Sequence, residues 1–248
     1  MKRPPCTEGN GCISFDGFNL VKDSLDCVPM DGKSVVNTIS PNSYGIATRD
    51  PEMMEALQGA DYLVLDGVYF GLWPLLIYGK RTKRITGWDC FIYYLEKLNA
   101  SGGSIFLLGS TEATLGKMTD RIHRDYPGVR VSSYSPPFKP AFSEEDDRRM
   151  REAVNAFSPD VLAVGLTAPK QEKWAYRNMP FLNARVSIAI GNVFDWYAGN
   201  TRRPGTFWQK AGLEWLVRIF YRPEIFRRNI RNQMVFFRHL FLRILRLK

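Results

Sequence analysis

Val35-Val36-Asn37-Thr38-Ile39-Ser40-Pro41-Asn42 and, after a short helical run, Asp61-Tyr62-Leu63-Val64-Leu65-Asp66-Gly67 are the stretches on which the fold is decided. The first moves from an apolar pair into hydroxyls and an amide. The second is an apolar run closed by Asp-Gly. Continuous apolar runs of this length read as buried parallel strands. In an open α/β sheet ligands lie outside the carboxyl ends of the strands. Thr38, Ser40 and Asp66 are therefore expected at one crevice, where a carboxylate can serve as a general base. Asp66-Gly67 also reads simply as a turn after a strand.

Working outward, strand and helix alternate. Strands are expected at residues 34–39, 61–65, 104–109, 129–131, 160–165 and 185–190. Helices are expected from about Ser43, from Asp50-Pro51, over 68–78 with Pro74 as a kink, over 88–99, from Ser110-Thr111-Glu112 to Tyr126, from Ser143 and from Pro169. Asp50 before Pro51 is an N-cap followed by proline at the first helical position. Residues 1–33 read as an extended arm or small hairpin. This alternation predicts an α/β, doubly wound, mainly parallel sheet with helices on both faces. The Gly109-Ser110 junction between strand and helix offers backbone N–H groups and a positive dipole end suited to phosphate. It is not GxGxxG, so no dinucleotide fingerprint is present. Arg81 to Asp89 could hold phosphate oxygens with its bases and hydroxyls, or be a solvated loop.

Charge is unevenly placed. The chain has 248 residues and a net charge of +9, but residues 201–248 hold 12 Lys/Arg against 2 Asp/Glu, while residues 1–200 hold 22 against 23. This marks a boundary near residue 200, with an α/β catalytic domain over 1–200 and a basic helical appendage over 201–248 that seeks an anionic partner. On a helical wheel Ile225, Phe226, Ile230, Met234, Phe236, Phe237, Leu240, Phe241 and Ile244 share one broad face. Arg227, Arg228, Arg231, Arg238 and Arg246 cluster opposite, with Val235, Leu242, Arg243 and Leu245 breaking the pattern. Such a basic amphipathic helix lies in a bilayer interface beside anionic lipid. The competing reading packs the helix on its own core with arginines in solvent.

Other classes find less support. No run of 18 apolar residues suggests a membrane span, and Met1-Lys2-Arg3-Pro4-Pro5 is unlike a signal peptide, which argues for the cytoplasm. Cys6, Cys12, Cys27 and Cys90 lack CxxC spacing and are expected as free thiols. His123 and His239, the two histidines, fall in charged helical stretches and are expected at the surface. A Ser-His-Asp triad or a His-rich metal site is thus disfavoured, and no metal or cofactor is expected. A nucleic-acid-binding or scaffold protein using the Arg-Phe tail is the alternative to an enzyme.

Several motifs then fall in one order: Thr38-x-Ser40-Pro41-Asn42, Asp66-Gly67, Arg84-x-Thr86-Gly87-x-Asp89, Pro169-Lys170-Gln171-Glu172, Gly191-x-x-Phe194-Asp195-x-x-Ala198-Gly199, Arg203-Pro204 and Glu214-Trp215-Leu216-x-Arg218. Over roughly residues 34–230 this order resembles the WecG/TagA/CpsF family of bacterial glycosyltransferases. The resemblance implies an inverting, metal-independent transferase. It would move a hexose-type sugar from a UDP-sugar to a polyprenyl-diphosphate-linked saccharide, at the cytoplasmic face of the cell membrane, in cell-surface polysaccharide synthesis. By resemblance Asp66 is the general base and Thr38 its neighbouring hydroxyl. Ser40, Asn42, Arg84, Gly109, Ser110, Gln171, Asp195 and Arg218 are the substrate-binding set, and Arg222, Arg227, Arg228 and Arg231 are the membrane-binding set. The expected partners are the donor, the lipid-linked acceptor and an anionic membrane, without nucleic acid. A homo-oligomer is left open. Ser40 departs from the family's usual Asn. A hydroxyl cannot offer both an amide donor and an acceptor, which points to a different donor sugar.

Overall fold

The computed structural model describes residues 11–203, 205, 208 and 223–246, with side chains in the last segment from 229 to 245. Its frame is one eight-stranded sheet in the order β1-β2-β4-β3-β8-β7-β5-β6. The strands are β1 (Cys12–Phe15), β2 (Phe18–Val21), β3 (Ser34–Ile39), β4 (Tyr62–Leu65), β5 (Ser104–Gly109), β6 (Arg130–Tyr134), β7 (Val161–Gly165) and β8 (Val186–Ala189). All pairings are parallel except β1 with β2. Strand β6, five residues long, extends further than the 129–131 expected from sequence, because it forms the sheet edge against Ser104 to Leu108 of β5.

The antiparallel pair resolves the N-terminal expectation in favour of a hairpin. Its two-residue turn is Asp16-Gly17, with φ of 45° and 81°. Two positive φ values in succession match the right-handed twist of the flanking strands, which is why Asp-Gly suits the position. Cys27 and Cys90 carry free thiols, but Cys12 is disulfide-bonded, against the expectation for all four cysteines. Spacing alone could not reveal that bond.

Side chains alternate along the strands and divide the core into two layers. Phe106, Leu108, Leu162, Val164, Leu63 and Leu65 face one side. Ile105, Leu107, Val161, Ala163, Val64 and Ile188 face the other. On the first face pack α1 (Pro41–Ala47), α2 (Pro51–Gln58), α3 (Leu72–Tyr78), α6 (Glu144–Phe157) and α7 (Lys170–Asn178), through residues such as Met53, Leu57, Trp73, Met150 and Trp174. On the second pack α4 (Gly87–Ser101), α5 (Glu112–Asp125) and α8 (Val193–Tyr197), through Phe91, Tyr94, Met118 and Phe194. The segments after β3 and β7 thus run to one face and the segment after β8, which lies between them, to the other.

Helix α9 (Pro223–Arg246) crosses the first face. Phe236 and Leu240 are buried there among Tyr44, Phe70 and Trp73, and Ile244 packs beside them. This corrects the wheel reading of a single apolar face. Phe236 and Leu240 point into the protein, whereas Met234, Phe237, Phe241 and Leu245 are exposed. The broad stripe is two stripes, one repeating at i, i+4 (Phe236, Leu240, Ile244) and one at i, i+3, i+7, i+11 (Met234, Phe237, Phe241, Leu245), and only the first has core to cover. His239 likewise is half-buried, its Nδ1 3.0 Å from the Tyr44 hydroxyl, while His123 is exposed as expected.

The docking of α9 depends on one glycine. A Cβ at Gly45 in α1 would lie 2.2 Å from the Asn232 carbonyl oxygen, so the two helices touch backbone to backbone. Around that contact Asn232 donates from Nδ2 to Asn42 Oδ1 at 2.9 Å and accepts from Arg49. At the far end Asp16 at the hairpin tip accepts from Trp73 Nε1 at 2.8 Å, Tyr78 at 2.9 Å and Arg243 at 3.3 Å. Gly45→Ala is expected to push α9 off α1 and to destabilise the fold by about 1–3 kcal/mol, the range for overpacking a tight contact. Urea denaturation against the unmodified protein checks this, and a variant of unchanged midpoint would show that α9 does not need the close approach.

Candidate active site

Because the chain leaves β3 and β7 toward one face and β8 toward the other, the carboxyl ends of these strands open a crevice. This is the switch point at which α/β sheets bind ligands. A cavity of about 1080 Å3 occupies it. Thr38, Ser40 and Asn42 line it from the end of β3 and the start of α1, Asp66 from the end of β4, and Ser110 from beyond β5. Gln171 and Glu172 enter from the first turn of α7, and Asn192 and Asp195 from the start of α8. Arg202, Arg203, Asn229 and Asn232 close it from the C-terminal side.

Local bonding fixes the left half. The Asp66 N–H donates to the Ile39 carbonyl at 3.0 Å, which continues the β3–β4 ladder one step past the strand. A Cβ on Gly67 would sit 3.3 Å from Pro41 and 3.5 Å from Ser40, so the Asp-Gly turn lies directly against the Ser-Pro turn. That contact brings Asp66 to the Thr38–Ser40 segment, as the sequence reading required. Asp66 is exposed to the cavity and Thr38 half-buried. Ser40 is the N-cap of α1: its Oγ accepts from the Ser43 N–H at 3.2 Å, and the Ser43 hydroxyl accepts from the Ser40 N–H at 2.8 Å. A serine here thus starts a helix as well as lining the cavity. Asn42 is tied by its Oδ1 to Asn232 of α9.

The right half is built on backbone. At the end of β8, Ile190 and Gly191 both donate to the Val164 carbonyl, at 3.1 and 3.4 Å. Gly191 has φ of 51°, and a Cβ there would lie 3.3 Å from Gln171 Oε1. Glycine lets α7's first turn close onto β8. Behind it Gln171 and Glu172 are buried, with 4% and 1% of their surfaces exposed. Gln171 Nε2 donates to Glu172 Oε1 at 2.8 Å. Among the described residues Gln171 Oε1 and Glu172 Oε2 have no hydrogen-bond partner. Burial pushes the Glu172 carboxyl up to about 7, opposed by the hydrogen bond from Gln171.

Not every expected residue lines the cavity. Arg84 is half-buried in the segment before α4 and is not among the lining residues, although Gly87, three residues later, is. Gly109 also stands back: it packs on Gly165, whose carbonyl a Cβ would meet at 2.6 Å, and Ser110 alone reaches the opening. The helix there starts as expected from Ser110-Thr111-Glu112, at Glu112 with Thr111 as N-cap. An acidic side chain in that first turn already complements the dipole. Arg218 and Arg222 lie outside the described residues, and Arg227 and Arg228 belong to α9 without described side chains. Arg231 is exposed.

The cavity also contains residues that the sequence reading had not chosen. The Arg203 guanidinium lies 5.0 Å from the Trp88 ring centroid and 5.7 Å from that of Trp196. A cation held between two aromatic faces is fixed in place while keeping its charge. Arg202 is beside it, giving the cavity two cations from the segment after α8. Arg203 did stand in an ordered motif, but one of its aromatic partners, Trp88, comes from a distant part of the chain. Glu172 neighbours Gln171 in sequence, and nothing in the sequence marks it as buried. Among the described residues no group of three or more His, Cys, Asp or Glu is placed to hold a metal ion.

The model of the glycosyl transferase WecG/TagA/CpsF family matches residues 13–248, and the chain belongs to that family. It is therefore a glycosyltransferase, which sets aside the nucleic-acid-binding and scaffold alternative. Among its relatives is an N-acetylglucosaminyldiphosphoundecaprenol N-acetyl-beta-D-mannosaminyltransferase of Bacillus spizizenii, 27% identical over 193 residues, covering 78% of this chain and 73% of the relative. A protein of the same name from Bacillus subtilis is 25% identical over 222 residues, covering 88% and 85%.

The buried carboxyl makes stability depend on pH. Between its ordinary 4.5 and about 7 the folded protein keeps a proton on Glu172 that the unfolded chain has released. Stability from this group therefore falls as pH rises through that window and levels off above it. At about 1.4 kcal/mol per pH unit the loss is on the order of 3 kcal/mol. Glu172→Gln, which cannot ionise, is expected to flatten this part of the profile and to be the more stable protein at pH 8. Urea midpoints of both proteins at pH 5 and pH 8 measure it, and parallel profiles would refute it.

Proposed function

We propose that this protein transfers a sugar from a UDP-sugar to a polyprenyl-diphosphate-linked saccharide, by single displacement with inversion and without a metal. The observation that carries the reading is the meeting of Thr38, Asp66, Gln171 and Asp195 in one cavity at the strand ends. Asp66 takes the proton from the acceptor hydroxyl as that oxygen bonds to the anomeric carbon. The bond from the anomeric carbon to the diphosphate oxygen breaks, and UDP leaves with the electron pair. Positioned acid–base catalysis of this kind is worth roughly 10²–10⁴-fold. Arg202 and Arg203 supply positive charge toward the leaving diphosphate, with Arg84 and Arg218 as further candidates by family resemblance. Thr38 orients the acceptor beside Asp66, and Ser40, Asn42, Ser110, Gln171 and Asp195 contact the substrates.

The names of the relatives support the lipid-linked acceptor, since both act on an N-acetylglucosaminyl-diphospho-undecaprenol. They also make an N-acetylhexosamine the first donor to try. The reaction would occur on the cytoplasmic membrane surface, with α9 and its preceding segment as the peripheral attachment. No helix among the described residues is long and apolar enough to cross a membrane. The exposed stripe of Met234, Phe237, Phe241 and Leu245, with Arg231 and Arg238 exposed on the same helix, suits shallow insertion beside anionic headgroups.

The test is UDP release from a panel of UDP-sugars with a polyprenyl-diphosphate-linked N-acetylglucosamine in anionic vesicles, in EDTA. Release with one donor, dependent on the acceptor, is expected. Asp66→Asn should lower turnover by roughly 10²–10⁴-fold with UDP affinity kept. Normal turnover in that variant removes Asp66 from the mechanism, and failure of the unmodified protein to bind UDP removes the transferase reading.

The exposed stripe has its own check. Phe237→Asp with Phe241→Asp is expected to reduce co-sedimentation with anionic vesicles at least tenfold while UDP affinity holds. Unchanged sedimentation would show that this stripe does not carry membrane binding.

A further inference from the structure

Gln171 and Glu172 leave an unusual remainder. Two adjacent side chains, both more than nine-tenths buried, line the cavity and satisfy each other through a single bond of 2.8 Å. The amide oxygen of one and the second carboxyl oxygen of the other are unpartnered. A buried acceptor without a donor costs on the order of 1–3 kcal/mol, more when charged. A pair of them side by side at a cavity wall marks a place where a ligand supplies donors.

The chemistry narrows which part of the ligand that is. A diphosphate offers acceptors alone, so it satisfies neither Gln171 Oε1 nor an ionised Glu172, which it repels. A sugar is rich in hydroxyls, which donate or accept as the carboxyl's protonation requires, and an acetamido group adds an N–H donor. The two cations of the cavity, Arg202 and Arg203, come from the segment after α8, whereas the Gln171–Glu172 pair comes from the first turn of α7. Diphosphate and sugar thus have separate sources of recognition.

Building on the glycosyltransferase reading, we propose that Glu172, held by Gln171, is a specificity-determining residue that hydrogen-bonds the hydroxyl or acetamido donors of the transferred sugar. A site built to bond a polar substituent rejects a sugar lacking it far more strongly than an apolar pocket rejects a missing methylene, because the buried acceptor is left bare. Glu172 therefore discriminates among donors, independently of Ser40 on the opposite side of the cavity.

The experiment is titration of the full-length protein with UDP and with the UDP-sugar that it binds or turns over best among UDP-glucose, UDP-N-acetylglucosamine and UDP-N-acetylmannosamine. The same titrations are run on Glu172→Gln and Glu172→Ala. In both variants the affinity for UDP should stay within twofold, the affinity for the UDP-sugar should fall at least tenfold, and KM for the donor should rise accordingly. The preference among the three sugars should narrow as well. A UDP-sugar affinity unchanged in both variants overturns the proposal and leaves the pair as a feature of the core. Equal loss of UDP and UDP-sugar in a variant that keeps its thermal transition also overturns it, by moving Glu172 to the nucleotide. If Glu172→Ala does not fold, the isosteric Glu172→Gln decides. If the unmodified protein binds no UDP, this inference falls together with the transferase reading, which separates that failure from the others.

Discussion

The carboxyl ends of β3, β8 and β7 part because the chain leaves them toward opposite faces of the sheet, and the rest of the molecule is arranged around that opening. Each strand is buried on both sides, so its polar groups can reach solvent only at its end. The Asp66 N–H bonded to Ile39 and the Ile190 and Gly191 N–H groups bonded to Val164 carry the ladder one or two residues beyond the strands. They set the turns that present Asp66 on one side and Gln171 on the other. What would be two ordinary loops become the two walls of a single site.

A stable fold would not by itself retain the wall formed by α7. Glu172 is buried with one oxygen unpartnered, and its burial opposes ionisation. Removing that group from water costs energy that packing of Trp174 and Ala175 behind it, in the core under α7, must offset. A buried unsatisfied group of this kind calls for an explanation, and a ligand at the cavity wall would supply one. Arg203 is held differently: a half-buried charge immobilised against the faces of Trp88 and Trp196.

Helix α9 links site and surface. Asn232 bonds Asn42 at the cavity wall, Phe236 and Leu240 fill the core beside Tyr44, and Phe237 and Phe241 face outward. One helix therefore completes the site with one stripe and presents an apolar stripe with the other. A membrane-bound acceptor would meet the cavity at the edge of that same helix. The backbone contact at Gly45 makes the arrangement stiff, since neither helix can approach or rotate without moving the Asn42–Asn232 bond.

The sequence by itself determined the six strands from β3 onward, the mainly parallel sheet and the meeting of Thr38 and Asp66 at one crevice. Long apolar runs ending in polar residues have few other places to go than the middle and the end of a buried sheet. It also determined the family, through motifs whose order survives even though each is short. It could not show that Glu172 is buried or that Arg203 is stacked. Nor could it show that Arg84 and Gly109 stand back from the opening, or that the apolar residues of α9 divide between core and surface. Those outcomes depend on what lies opposite each side chain, and the opposing groups (Gly191 for Gln171, Trp88 for Arg203, Gly45 for Asn232) are brought there by chain segments remote in sequence. Periodicity records which residues share a face of one element, whereas only the packing of elements decides whether that face meets protein, solvent or a ligand.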